Sequence, residues 1–181
     1  SPQIPLLFMG EEWAASSPFM FFVDFSDDER LAAAVREGRS REFARFRDFA
    51  DESAADKIPD PTMPVSARIS VLRWEERLAS PHAEVIADTK RLLQLRRAEI
   101  LPLTRTAYAG ANWHERAENA INIAWHYEGG HLRLLANFEE PRFTAEIQPG
   151  ERAIWKSETA KLDGELAHLP SWSGVMLKQT P

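Results

Sequence analysis

The sequence predicts an α/β segment followed by an all-β domain: one strand of parallel type, a run of helices, then a small antiparallel β-domain. Three observations carry this reading. Residues 4–9 are an apolar run closed by Gly10 and two carboxylates, Glu11 and Glu12. That is the pattern of a strand buried on both faces that emerges at a functional rim. Residues 81–101 place Val85, Ile86, Leu92, Leu93 and Ile100 at helical spacing, which predicts an amphipathic helix. Beyond residue 120, apolar and polar residues alternate, as in strands with one face in a core and one in water. A parallel strand needs parallel neighbours reached by long crossovers. No residue ahead of Ser1 supplies them, so the chain is expected to be the C-terminal piece of a larger protein.

The elements follow in order. Residues 10–25 are irregular and rich in aromatics: Trp13, Phe19, Phe21, Phe22 and Phe25. Ser26 with Glu29 three residues on is a capping-box pattern. It starts a helix expected to run to about Arg36, with Gly38 just past its end. A second helix is expected over 41–50, where Phe43, Phe46 and Phe49 form one apolar stripe suited to packing. Pro59, Pro61 and Pro64 mark 53–66 as a loop, and 67–78 reads as a short helix. Ser80-Pro81 opens the amphipathic helix, proline being well placed at a helix start. Arg96 and Arg97 complement its dipole, and Pro102 is expected to stop it. Residues 121–127 and 131–138 form a hairpin about Glu128-Gly129-Gly130. Further strands are expected at 143–147, 151–156 and 172–178, with a turn at Pro149-Gly150. The division falls at 103/104: residues 1–103 are the α/β segment and 104–181 the β-domain.

Composition removes several functions. The 28 acidic and 22 basic residues give a formal net charge of −6, against the basic face that nucleic-acid binding needs. No apolar run reaches the roughly 20 residues that span a bilayer, so no membrane partner is expected. The chain has no cysteine, which excludes disulfides and thiolate chemistry and fits a cytoplasmic protein. The five histidines, His82, His114, His126, His131 and His168, show no metal-ligand spacing, so neither a metal nor another cofactor is expected. Trp 6 and Phe 10 against Tyr 2 suit carbohydrate chemistry, because indole and phenyl faces stack on the C–H faces of sugars. Burial explains aromatics equally well, and Trp113, Trp125, Trp155 and Trp172 are expected to be core of the β-domain.

Two motifs then point to a family. Residues 3–12, Gln-Ile-Pro-Leu-Leu-Phe-Met-Gly-Glu-Glu, resemble the eighth strand of the (β/α)8 barrel in α-amylase superfamily glycosidases. In that superfamily the barrel is followed by an antiparallel β-sandwich. Residues 11–24 (Glu-Glu-Trp-Ala-Ala-Ser-Ser-Pro-Phe-Met-Phe-Phe-Val-Asp) and 35–43, with Pro-Asp-Pro at 59–61 and Arg73-Trp74, resemble maltooligosyltrehalose trehalohydrolases. Ala14 stands where that pattern has glycine, and Phe25 where a histidine often follows the aspartate. The resemblance implies the last strand, excursion and last helix of a barrel ahead of a β-sandwich. It implies a parent enzyme that hydrolyses the α-1,4 bond next to the terminal trehalose of maltooligosyltrehalose. Related ends occur in branching and debranching enzymes, and the tail read alone is compatible with a carbohydrate-binding or packing module.

Retaining glycosidases use two carboxyl groups roughly 5–5.5 Å apart. The resemblance places them on barrel strands that this chain does not contain, so no catalytic residue is assigned and the isolated chain is expected to be inactive. Glu11 and Glu12 point to opposite sides of an extended segment, which suits orienting neighbouring residues better than acting as a dyad. Trp13, Phe21, Phe22, Asp24, Arg39 and Arg41 are the expected wall of the cleft that binds the trehalose end, since hydroxyl-rich ligands want stacked rings and a few polar groups; an aromatic mini-core closing the barrel edge would use the same rings. The partners expected are therefore an oligosaccharide and the barrel segment that precedes residue 1. An unpartnered barrel end should expose apolar side chains along 4–9 and 81–101.

Overall fold

The computed structural model describes residues 1–43, 59–113 and 119–180. Phe46 and Phe49 of the expected 41–50 helix, and His114, lie outside the described residues. The chain divides into two compact units, Leu7–Ala87 and Ser1–Leu6 with Asp88–Pro181, called below the excursion unit and the β unit. Residues 4–9 pair with no strand among the described residues, and Ile4 and Leu6 stand more than nine-tenths exposed. An apolar run of this kind is a strand's sequence without a sheet to join.

In the excursion unit a 3₁₀ turn, Glu11–Trp13, follows Gly10. Gly10 has φ +84°, and a Cβ there would lie 2.7 Å from the Ala15 Cβ, so both conformation and space require glycine. Helix α1 (Glu29–Phe43) begins two residues later than the capping box suggested. The Leu31 N–H donates to Asp28 Oδ1 at 3.1 Å and the Ala32 N–H to the Asp28 carbonyl at 3.0 Å, so Asp28 is the N-cap. Ser26 has its own N–H committed to Asp24 Oδ1 at 3.1 Å, and a carboxylate at the cap also suits the dipole. The helix does not stop before Gly38. Glycine in a helix interior costs about 1 kcal/mol. Here the ion pairs Arg36–Glu29 (2.6 Å) and Arg39–Glu42 (2.9 Å) flank it and offset part of that cost. The proline-rich loop is shorter than expected, because Pro64 opens helix α2 (Pro64–Ile69), using the first-turn position where its missing N–H costs nothing. A 3₁₀ turn, Trp74–Leu78, follows.

Helix α3 (His82–Leu95) has no fully buried residue, and Leu92 and Leu93 remain exposed. Pro102 does not end it. The helix widens into a π turn, Arg96–Ile100, and resumes as α4 (Leu101–Thr104). The wide turn accommodates a proline ring and its missing N–H without breaking the axis. Arg96 leans back to residues 1 and 2, donating from Nη1 to the Ser1 carbonyl at 2.6 Å.

Among the described residues the β unit contains eight strands in two antiparallel sheets. These are β1 (Tyr108–Trp113), β2 (Ala120–Tyr127), β3 (Gly130–Asn137), β4 (Phe143–Glu146), β5 (Arg152–Lys156), β6 (Lys161–Asp163), β7 (Leu166–Leu169) and β8 (Ser173–Gln179). The orders are β1-β2-β3-β8-β5 and β4-β7-β6. The expected hairpin is β2–β3, closed by Gly130 at φ +126°, where any Cβ would sit 2.1 Å from the Gln179 carbonyl. Strands β1, β6 and β7 were not expected. The last two are short, and β1 holds Gly110 at a register shift, so none shows a clean alternation.

The five-stranded sheet is covered on both faces. Leu135, Val175 and Leu177 meet Phe143, Ala145, Ala167 and Leu169 of the smaller sheet. On the other face Trp125, Leu132 and Met176 meet Ile100 and Leu103 from the end of the long helix. This double cover explains why β8 is buried from Ser173 to Lys178 without alternation. Trp125 and Trp155 pack in that second core as expected. Trp113 and Trp172 do not: they are 57% and 78% exposed. Trp113 lies on an edge strand with one partner, and Trp172 is carried out on a turn at φ +55°.

Candidate functional site: the aromatic excursion

The expected cleft residues all fall in the excursion unit, and its fold depends on hydroxyl groups. The Ser16 N–H and hydroxyl both donate to the Glu76 carboxylate, the backbone contact at 3.1 Å. These bonds hold the Glu76 carboxyl below its ordinary range, and Arg73 stands 3.9 Å away. Ser17 Oγ donates to the Val71 carbonyl at 2.8 Å, and the Met20 N–H donates to Ser70 Oγ at 2.9 Å. Ser70 in turn donates to the Ser66 carbonyl at 2.8 Å. The Val23 N–H reaches the Pro61 carbonyl at 2.8 Å. In the Pro-Asp-Pro motif, Asp60 Oδ1 accepts both the N–H and the hydroxyl of Thr62, at 2.8 and 2.7 Å. Sequence segments that looked separately diagnostic are thus parts of one hydrogen-bonded frame. Ser66, Ser70, Glu76 and His82 were missed, because a buried serine or a capping carboxylate has no signature at the level of periodicity.

The frame distributes the expected residues unevenly. Trp13 is 1% exposed. Its ring lies 5.1 Å from that of Trp74, with the Arg77 guanidinium over both, and its carbonyl is 2.9 Å from His82 Nδ1. That ring is committed to packing, which corrects the expectation that Trp13 offers a face to a sugar. Glu11 Oε2 accepts the Phe8 N–H at 2.9 Å, so this carboxylate ties the end of the apolar run. Glu12 is half-buried. Phe21 and Phe22 are both 43% exposed. Phe22 continues a chain of rings through Phe19 to Phe8, at 6.3 and 5.0 Å. The Arg39 guanidinium is stacked between Phe21 and Phe43 at 5.0 and 4.7 Å, a cation–π clamp that fixes its direction. Asp24 is exposed with one oxygen turned to Ser26. Arg41 is exposed and has no partner among the described residues.

At the end of the apolar run, Phe8, Glu11, Ala14, Phe19 and Leu72 line a depression of about 320 Å³. Ala14 holds φ +55°, a left-handed conformation that an L side chain adopts at a cost of about 1–2 kcal/mol. Among the described residues no group of three His, Asp or Glu side chains is arranged to hold a metal. No described helix is long and apolar enough to cross a membrane.

Chemically, the unit offers stacked and half-exposed rings, a directed guanidinium and free carboxylate oxygens, set after a strand-like segment. Together with the helix and two-sheet unit that follow, this is the architecture of the end of an α-amylase-type barrel and its C-terminal β-domain. Comparisons with known proteins agree. Over 179 residues, 98% of this chain, it is 31% identical to a malto-oligosyltrehalose trehalohydrolase from Rhizobium sp., matching 28% of that protein. Over 98 residues it is 43% identical to one from Deinococcus radiodurans, matching 15% of that protein. The structure of a putative alpha amylase from Salmonella typhimurium superposes with a TM-score of 0.81 at 34% identity, over 99% of this chain and 29% of that one. An isomaltulose synthase from Erwinia rhapontici shares the fold at TM-score 0.53 and 12% identity, over 98% of this chain and 35% of that one. No family model matches. The chain therefore corresponds to the C-terminal part of malto-oligosyltrehalose trehalohydrolases, within the α-amylase superfamily, and spans under a third of the length of the relatives it matches.

Proposed function

We propose that this chain is the end of a glycoside hydrolase that cleaves the α-1,4 bond next to the terminal trehalose of maltooligosyltrehalose, releasing trehalose in trehalose biosynthesis in the cytoplasm. The observation that carries the proposal is the match, over 98% of this chain and 28% of that protein, to a trehalohydrolase at 31% identity. The excursion motifs read from the sequence add to it. The two catalytic carboxyl groups then belong to barrel strands outside this chain, and residues 1–181 alone are inactive. Their contribution is to bind and orient. Phe21 and Phe22 supply ring faces, Asp24 accepts hydrogen bonds from sugar hydroxyls, and Arg39 and Arg41 donate to sugar oxygens. Glu11 and Glu12 hold the rim from which these residues extend. The β-domain, taken as residues 104–181 in a sandwich arrangement, stabilises the barrel end.

A preference for trehalose-ended substrate should lie in these residues. In the full-length enzyme, Phe22→Ala and Asp24→Ala are each expected to lower kcat/KM on maltotriosyltrehalose about tenfold, roughly 1.4 kcal/mol of transition-state binding, while plain maltooligosaccharide is affected less. Unchanged selectivity in both variants removes the excursion from the site. If the full-length enzyme releases maltose or glucose instead of trehalose, the parent is another α-glucan-active enzyme.

A further inference from the structure

We propose that Thr62 is a positioning residue: its hydroxyl group joins the segment that carries Phe21, Phe22 and Asp24 to the helix that carries Arg39 and Arg41, and so sets the spacing of the side chains that hold the trehalose end. The inference rests on the reading of those side chains given above and adds what keeps them in register. A threonine in a proline-rich loop has no signature in the sequence; its neighbours give it the role. Asp60 Oδ1 accepts the Thr62 N–H at 2.8 Å and its hydroxyl at 2.7 Å. The hydroxyl oxygen in turn accepts from Arg36 Nη1 at 3.1 Å. A hydroxyl donates one proton and accepts through its lone pairs. Thr62 thus commits its proton to the loop and a lone pair to the helix, between a carboxylate and a guanidinium that both strengthen the bonds.

Each side of the link continues to the proposed binding residues. On the loop side, Pro61 stands between Asp60 and Thr62, and its carbonyl accepts the Val23 N–H at 2.8 Å. Val23 lies between Phe22 and Asp24, so the turn closed by Asp60 and Thr62 holds the backbone that carries both. Asp60 is itself anchored, because its carbonyl accepts the Ser66 hydroxyl at 2.7 Å and Ser66 is buried. On the helix side, Arg36 Nη2 pairs with Glu29 at 2.6 Å, which leaves Nη1 directed at Thr62. Arg39 follows three residues later on the same face of α1. Its guanidinium closes the circuit by stacking on Phe21 at 5.0 Å. Arg36, Asp60 and Thr62 are all half-buried, outside any apolar core. Apolar burial is non-directional, whereas a hydrogen bond fixes both length and angle. The spacing of Phe22 and Asp24 from Arg39 is therefore set by the Thr62 hydroxyl rather than by packing.

Two substitutions in the full-length enzyme test this. Thr62→Val keeps the shape and removes the hydroxyl; Thr62→Ser keeps the hydroxyl. Thr62→Val is expected to raise KM for maltotriosyltrehalose at least about fivefold, the equivalent of one hydrogen bond, with kcat within about twofold of wild type, since the reacting carboxyl groups lie elsewhere. KM for plain maltooligosaccharide should not change, and Thr62→Ser should restore the wild-type value. Arg36→Gln removes the link from the helix side and should raise KM by a similar factor. The double variant Arg36→Gln/Thr62→Val should then be no worse than either single one, because a single link is lost only once. A threonine that merely stabilises the fold would lower the melting temperature and leave KM alone. Unchanged KM in Thr62→Val, no rescue by serine, or additive effects in the double variant each overturns the proposal. Peptide-resolved hydrogen exchange on the same enzyme reads the link without substrate: exchange should quicken over residues 20–24 and 35–42 in Thr62→Val and not in Thr62→Ser. Unchanged exchange overturns the link whatever sugar the enzyme releases. Product analysis of the wild-type enzyme judges trehalose release by itself, so either reading can fail alone.

Discussion

Among the described residues, six of the eight largest fully enclosed side chains (Leu132, Leu135, Leu169, Leu177, Val175 and Asn137) belong to the β unit, and the other two, Trp13 and Ser66, to the excursion unit. The β unit encloses aliphatic groups between two sheets and beneath a helix end. The excursion unit instead satisfies backbone groups with serine hydroxyls and carboxylates, and leaves Phe8, Phe19, Phe21, Phe22, Met63 and Trp74 substantially exposed. Apolar burial is the larger and non-directional source of stability, whereas a hydrogen bond nets about 1 kcal/mol. The first unit is therefore stabilised by its own residues. The second holds a shape while presenting apolar surface, which is what a cleft wall or a docking face requires.

This contrast can be broken most forcefully at Glu151. Its side chain is wholly enclosed and paired with Arg133. Glu151→Gln leaves a buried guanidinium unpaired and is expected to cost about 3–5 kcal/mol, read as a shift in the urea midpoint. Burial pushes the Glu151 carboxyl upward, but hydrogen bonds from Arg133, His131 and the Gln148 N–H more than offset it, leaving it below its ordinary value of 4.5. A depressed carboxylate stabilises the fold fully above that ordinary value, and the contribution is lost as pH falls through the folded value. Wild type should lose stability below about pH 4.5, and Glu151→Gln should flatten that acid limb. An acid limb unchanged in the variant removes the pair as its source.

Leu135→Ala tests the core directly. Leu135 is 0% exposed, and the truncation should cost about 2–5 kcal/mol. The same truncation at half-exposed Phe22 should cost less than about 1 kcal/mol. Equal losses would show that the excursion unit carries a core of its own. Smaller still is Ala14→Gly, which relieves a left-handed alanine and should stabilise the excursion unit by about 1 kcal/mol, seen as slower hydrogen exchange across 10–20. Destabilisation there would mean that the Ala14 methyl contributes packing worth more than the backbone strain.

The two units were also unequally legible. Hairpin β2–β3 could be read from alternation because one sheet face differs chemically from the other along its length. Strands β6 and β7 carry three and four residues, too few for a period to show. Helix ends failed for a different reason. Asp28 rather than Ser26 is the cap, its carboxylate accepting the Leu31 N–H, and Pro102 was absorbed by a π turn. Both outcomes depend on competition among neighbours within a few ångströms, which spacing does not record. Among the cleft residues, Trp13 was misjudged because an indole reads the same in sequence whether it stacks on Trp74 or on a sugar.

Sequence alone determined that helices precede an antiparallel β-region, that residues 4–9 form an apolar run, and the kinship with malto-oligosyltrehalose trehalohydrolases, since these rest on local pattern and contiguous motifs. Tertiary structure decided which aromatics are enclosed and that Arg39 is clamped between two phenyl rings. The physical reason is range. Periodicity and capping act over a few residues, whereas burial, charge pairing and pocket shape are set by side chains that become neighbours only when distant strands align.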